Sequence, residues 1–252
     1  MNSNPLRMIA RLDIKNDKVV KGINLEGVRK IGDPKHIAKD YYEQGIDEII
    51  YMDVVASLYE RSTITKFIKE AAENIFVPLT VGGGIRSLED IRSVLNSGAD
   101  KVAINTEAIK NNSFIKLASQ EIGSQSIIVS IEAKKRNDDY WEAYYDNGRE
   151  RSGLNVIEWA KKSQELGAGE LLITSVDKEG LQEGMDIRLL KKIRKEVSIP
   201  IIFSGGIGND NHIVEAYPEA DGVALASILH YKRYKIAKLK NLLKNRNINI
   251  RN

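Results

Sequence analysis

Two acidic residues, Asp13 and Glu132, stand in stretches that are otherwise largely apolar, Met8–Ile14 and Ser126–Ala133. An unpaired charge is expensive to bury, so a carboxylate there calls for a partner or a chemical role. Two opposed carboxylates suit a general acid and a general base. The alternative is a buried ion pair. Its cations would come from Lys15, Lys21, Lys134 and above all Arg11, which lies two positions before Asp13 and so points to the same face of a strand. A second candidate is the pair of glycine turns Gly82-Gly83-Gly84 and Gly205-Gly206, each placed between an apolar run and a helical pattern. Glycine lets backbone approach a ligand, and amides at the start of a helix favour an anion. Asn105-Thr106 and Ala226-Ser227 end the next apolar runs and complete each cradle. Two such cradles point to a long ligand with a phosphate at each end; the bland reading is a pair of tight turns. Asp53, Asp177, Glu179 and Lys21 fall at the same rim, as substrate contacts or as ordinary rim residues.

The elements that must position these residues are short and alternate in kind. Strands are expected at Met8–Ile14, Glu48–Asp53, Val77–Val81, Lys101–Ile104, Ser126–Ala133, Glu170–Thr174, Pro200–Ser204 and Gly222–Ala226. Helical patterns between them include Pro34–Gln44, Leu88–Ser97, Val156–Leu166 and Ile187–Val197, and Gly45, Gly98 and Gly167 supply helix stops. Eight β/α units in 252 residues fit a single closed (β/α)8 TIM barrel, with an open doubly wound sheet as the rival. An internal repeat favours the barrel. VPLTVGGGI at 77–85 resembles IPIIFSGGI at 199–207. GADKVAIN at 98–105 resembles EADGVALA at 219–226, and RLDIK at 11–15 resembles SIEAK at 130–134. The offset is about 120 residues, which makes two repeat-related half-barrels, about 6–122 and 123–252.

Composition narrows the chemistry. There is no cysteine, so disulfides, cysteine nucleophiles and cysteine-held metals are excluded. His36, His212 and His230 are the three histidines, which argues against a histidine-rich metal site, and no cofactor or metal is expected. His36 and His212 are expected on exterior helices, and His230 as the cap of the last helix or near a site. Trp141 and Trp159 read as packing residues. The balance of 38 basic and 35 acidic residues with 6% aromatics gives no case for nucleic acid. The basic stretch Lys232–Arg251 reads as a solvated amphipathic helix and tail. No leader and no membrane span are expected, so the default location is the cytoplasm.

Taken together, LDIKNDKVVKG, GIDEIIYMDVVAS, VPLTVGGGI, GADKVAINT, SQSIIVSIEAK, GAGELLITSVDKEG, IPIIFSGGIG and ALASILH resemble the cyclase subunit of imidazole glycerol phosphate synthase, from Met8 to beyond His230. The resemblance implies a two-half (β/α)8 barrel acting on a bisphosphorylated ribonucleotide. Ammonia would arrive through the barrel from a glutaminase subunit in a heterodimer. The products would be an imidazole and an aminoimidazole ribonucleotide. Asp13 matches the family's catalytic aspartate and Glu132 stands at the second one. Lys21, Asp53, Asn105, Thr174 and Ser204 match substrate contacts. Gly84, Thr106, Gly180, Gly206, Ala226 and Ser227 fall in phosphate-binding segments, beside Gly83 and Gly205. Arg7, Glu48, Lys101 and Glu170 match a gate of alternating charges for ammonia. Each begins an expected strand, where a stability cluster is the ordinary reading.

The departures are specific. Glu132 replaces aspartate, Glu179 and Leu181 stand for aspartate and threonine, and Arg11 replaces a small inward residue, where it pairs with Glu132 or obstructs the ammonia path. They resemble the branch linked to acetamidino modification of surface sugars, which works with a glutaminase and a sugar amidotransferase. Two other readings stay open: a non-catalytic ammonia conduit for a sugar amidotransferase, and a different phosphate-binding barrel such as a sugar-phosphate isomerase, which the gate charges disfavour.

Overall fold

The computed structural model describes residues 4–55 and 62–251. Twelve strands appear among them: β1 (Arg7–Lys15), β2 (Lys18–Ile23), β3 (Glu26–Gly32), β4 (Glu48–Asp53), β5 (Leu79–Gly82), β6 (Lys101–Ile104), β7 (Ile127–Asn137), β8 (Tyr140–Tyr145), β9 (Glu150–Asn155), β10 (Glu170–Ser175), β11 (Ile201–Ser204) and β12 (Gly222–Leu225). Eight of them, β1, β4–β7 and β10–β12, pair in parallel, and the β10–β7 pairing completes the ring, so the barrel is closed and the open sheet is ruled out.

Parallel strands covered by helices are buried on both faces, which is why they read as nearly continuous apolar runs. In β1, Met8, Ala10, Leu12 and Ile14 belong to the large core between strands and helices. Ile9 packs in a separate cluster within the ring, with Ile50, Met52, Ala103, Ile128, Leu172, Ile202 and Ala224. The alternation places Arg7, Ile9, Arg11 and Asp13 on the inward face. The helices are α1 (Pro34–Glu43), α2 (Ser62–Ala72), α3 (Leu88–Asn96), α4 (Thr106–Lys110), α5 (Ser113–Ile122), α6 (Val156–Glu165), α7 (Ile187–Glu196), α8 (Asp210–Ala216), α9 (Ser227–His230) and α10 (Ile236–Lys244). Side chains start several of them: Asp33 before Pro34, the Ser87–Asp90 capping box, Asn155 and Asn209.

The two halves share an excursion that the strand pattern does not reveal. Past the barrel, β1 turns antiparallel into β2 and β3, and β7 into β8 and β9. Asp13 and Glu132 occupy the same place in this plan. Asp13 pairs with Met52 of β4 and Val20 of β2, and Glu132 with Thr174 of β10 and Tyr144 of β8. Lys21, expected in a loop, therefore lies on β2. The turn Asn16-Asp17 lacks the glycine that usually announces a hairpin. Nor is the C-terminal stretch simply solvated. Ile236, Leu239 and Leu243 are buried, Lys240 pairs with Asp47 at 2.6 Å, and Leu6 bridges Ile250. Ala56 and Ser57, which end one family-like stretch, lie outside the described residues. No helix among the described residues is long and apolar enough to cross a membrane.

Candidate active site

The inward residues form layers along the barrel axis. At the N-terminal end the four expected charges meet in one chain. Arg7 Nη1 donates to Glu48 at 3.1 Å, Arg7 Nη2 to Glu170, and Lys101 Nζ to Glu170 at 2.7 Å. Burial works against the charge on Arg7, but Glu170 and Glu48 outweigh it and hold the guanidinium protonated. Above this chain lies the apolar cluster around Ile9, Ile128, Leu172 and Ile202.

Arg11 occupies the next layer, 2% exposed. Its Nε donates to Asp13 Oδ1 at 2.9 Å, and Nη1 to Thr174 Oγ1 at 2.7 Å and Ser204 Oγ at 3.4 Å. The cation thus crosses the interior from β1 to β10 and β11 and engages three expected site residues. Its ion-pair partner is Asp13, not Glu132. Burial alone would raise the Asp13 carboxyl, but Arg11 and then Lys21 hold it well below the usual carboxylate range.

Glu132 meets the opposite environment. Burial pushes its carboxyl up to about 7, against the pull of a 2.8 Å hydrogen bond from the Gly148 amide and of Arg11. Gly148 belongs to the β8–β9 turn, so the hairpin missed in the sequence supplies the partner of the second carboxylate. Asn105 Nδ2 donates to the Tyr144 carbonyl at 3.2 Å, while its buried Oδ1 has no hydrogen-bond partner.

His230 neither caps the last helix nor meets solvent. It ends α9, buried, with Nδ1 2.7 Å from the Tyr41 hydroxyl. Burial pushes its imidazole down to about 4, with Asp13 pulling the other way, so the ring is neutral near pH 7. Trp141 is buried and donates to Asp186 at 2.8 Å, and Trp159 is buried in the core.

Both glycine turns lie at the C-terminal mouth, where barrel enzymes carry their sites. Gly83 and Gly205 need their glycines. Their φ angles are 95° and 104°, and a Cβ on Gly83 would stand 2.2 Å from the Asp53 carbonyl oxygen. The first cradle is lined by Asp53, Gly83, Gly84, Arg86, Asn105, Thr106, Glu132, Asp146 and Asn147 among others. The Asp53 carboxylate there accepts from the Val55 amide at 3.0 Å, and Thr106 Oγ1 from the Asp146 amide at 3.3 Å. The second cradle brings together Glu179, Gly180, Gly205, Gly206, Ala226 and Ser227. Lys21 Nζ donates to Glu179 within the closed mouth, both side chains being buried. Asp177 is drawn away instead. Its carboxylate accepts from the Lys135 amide of β7 at 2.6 Å, and it lines neither cradle. Arg86 lies in a loop without periodicity, whereas Asp146, Asn147 and Gly148 did carry a signal that the strand pattern passed over, the Asn-Gly turn dipeptide between β8 and β9.

Fold and mouth together define a (β/α)8-barrel protein whose chemistry-bearing side chains converge at the C-terminal ends of the strands. Residues 7–235 match the family described as "Histidine biosynthesis protein", and the chain belongs to that family. It is 46% identical over 246 residues to "Imidazole glycerol phosphate synthase subunit HisF" of Thermococcus onnurineus, covering 97% of each chain. The protein of the same description from Hydrogenobaculum sp. is 47% identical over 247 residues, 97% of this chain and 98% of the relative. That from Legionella pneumophila is 51% identical over 203 residues, 81% of this chain and 96% of the relative.

Proposed function

We propose that this chain is the ammonia-using lyase subunit of an imidazole glycerol phosphate synthase-type system, specialised toward acetamidino modification of surface sugars. The observation that carries the reading is the unequal pair of carboxylates at the mouth. Asp13 is fixed as an anion by Arg11, whereas Glu132 is poised near neutrality, and a proton is best exchanged by a group whose affinity lies near the working pH. Glu132 therefore gives and takes the proton as ammonia adds to a phosphorylated ribonucleotide. Asp13 positions Arg11, which arranges Thr174 and Ser204. The two cradles support a ligand with anionic or hydroxylated ends reaching across the mouth.

The partner is a glutaminase subunit in a heterodimer. A chain without cysteine has no thiol to release ammonia by the usual glutaminase route. Arg7, Glu48, Lys101 and Glu170 act as the gate through which ammonia enters. The repeat supports a single barrel of two halves joined near residue 122, and no cofactor or metal is needed. The specialised branch, with a sugar amidotransferase as further partner and the cytoplasm as its place, is supported by Arg11, Glu132, Glu179 and Leu181 at positions where the parent pattern differs.

The test is consumption of the bisphosphorylated ribonucleotide with an ammonium salt. Turnover that disappears in Glu132→Gln supports the enzyme. The second reading, a non-catalytic conduit, is favoured by Arg11, which fills the interior between gate and mouth; no turnover together with stable capture of a glutaminase selects it. Glutamine-dependent transfer unchanged by Arg7→Ala and Lys101→Ala would sink the gate.

A further inference from the structure

Thr174 and Ser204 are two hydroxyls expected to meet a ligand, yet both are sealed: Thr174 is 0% exposed and Ser204 2%. Arg11 covers them. Along the order β10-β11-β12-β1, β1 and β10 stand three strands apart in the ring of eight. A side chain that reaches from one to the other cuts across the barrel close to its axis, above the apolar layer of Ile9, Leu172 and Ile202. It divides the interior. The charge chain of Arg7, Glu48, Lys101 and Glu170 lies on one side, and the mouth with Asn105 and Glu132 on the other.

The bonds that hold this bar are unequal. Asp13 stands two positions along the same strand and carries the counter-charge, so it travels with Arg11. Thr174 and Ser204 are neutral acceptors on other strands, and the Ser204 bond is long at 3.4 Å. Leaving Asp13 would strand a cation in a dry interior. Leaving the two hydroxyls strands nothing, provided that another group takes the Nη1 hydrogens. A ligand with phosphate and hydroxyl groups brings acceptors for Nη1 and donors for the freed Thr174 and Ser204 oxygens. We infer that Arg11 is a ligand-released bolt across the barrel: it covers Thr174 and Ser204 until a phosphorylated polyol enters the mouth, then turns off both hydroxyls while it keeps Asp13. Under the proposed function, ammonia then passes only when its acceptor is in place. The release rests on reading the mouth as a ligand site, and that consequence on the ammonia path.

Nitrogen NMR of the isotopically labelled full chain tests it. A guanidinium pinned through Nη1 turns slowly about its Cζ–Nε bond and shows two Nη signals; a released one turns fast and shows one. The probe is ribose 5-phosphate, and the backbone amides of Gly83, Gly84 and Thr106 report its entry into the mouth. Two Arg11 signals are expected without the probe. With the mouth saturated, rotation is expected to be about tenfold faster or more, as two hydrogen bonds are given up. Thr174→Val/Ser204→Ala should rotate fast with no probe at all. Thr174→Val alone, which keeps the volume and loses the 2.7 Å bond, is the milder variant and should fall between. Saturable amide shifts with Arg11 still turning slowly overturn the bolt and leave the mouth standing as a ligand site. Slow rotation in both variants, or fast rotation in the free wild type, overturns it equally. No saturable shift at any mouth amide overturns the ligand reading of the mouth, and the bolt with it.

Discussion

Asp13 in the first half of the barrel and Glu132 in the second occupy equivalent places, where a barrel strand passes into an antiparallel hairpin. Their fates are opposite. Asp13 has a guanidinium at 2.9 Å and is held low; Glu132 has one backbone amide at 2.8 Å and is pushed up to about 7. The cradles differ as well: the first encloses about 80 Å³ of free volume and the second, lined by Glu179, about 10 Å³. The internal repeat sets two like strand-and-hairpin scaffolds in one ring, and a few inward side chains give each carboxylate a different environment. A charged neighbour decides whether a buried carboxylate is an anchor or a proton carrier.

The contrast can be broken by substitution. Glu132→Gln removes the proposed proton carrier and is expected to lower turnover by about 10²–10⁴-fold, with little change in melting temperature below about pH 5, where Glu132 is protonated; a loss of stability there alongside the loss of rate would make Glu132 structural. Asp13→Asn is expected to act mainly on stability, because it strands Arg11 in the interior. Breaking a buried pair on one side costs about 3–5 kcal/mol. In a chain of this size each kcal/mol moves the melting point by about 2–4 °C, and calorimetry measures it. Arg11→Met with Asp13→Asn should recover much of that loss, since neither charge then remains. If Asp13→Asn melts like the wild type, the anchor role is wrong.

A gentler test uses pH. Burial raises Glu132 from 4.5 to about 7, so the folded protein keeps a proton that the unfolded chain releases. Stability should therefore fall as pH rises from about 4.5 through 7 and level off above, a span of about 3 kcal/mol. Urea midpoints across this range should show the slope in the wild type and lose it in Glu132→Gln. An identical slope in both proteins would assign it elsewhere. The smallest effect is expected in the charge chain at the N-terminal end of the barrel. Lys101 is 22% exposed and bonds one acid, so Lys101→Ala should cost no more than about 1 kcal/mol in chemical denaturation. Arg7→Ala should cost more, because Arg7 is 12% exposed and bonds both Glu48 and Glu170.

Much of this was legible in the residues alone. The eight strands, the repeat and both glycine turns follow from patterns that recur at fixed spacing, and the four charges at the strand starts are picked out by the family resemblance. Burial on both faces makes a barrel strand apolar, and a turn that brings a Cβ against a carbonyl demands glycine, so sequence must carry both. The β2–β3 hairpin and Tyr41 beneath His230 were not legible, while the β8–β9 hairpin was announced by Asn147-Gly148 and passed over because the run is too short and polar to read as a barrel strand. Asp177 looked like a mouth residue, but a backbone amide on β7 claims it.

The sequence by itself determined the alternation of eight strands with helices, the internal repeat and the placing of two acids at one rim, because local period and repeat are properties of the chain. Only the tertiary structure decided that Arg11 binds Asp13 and leaves Glu132 to be raised by burial. It also decided that Glu179 takes Lys21 at the edge of the second cradle. Arg11 and Asp13 are two residues apart, but what holds Arg11 in place and what Glu179 meets are contacts between side chains more than 150 residues apart, Arg11–Thr174 and Lys21–Glu179. Energies of charge in a dry interior change steeply with such distances.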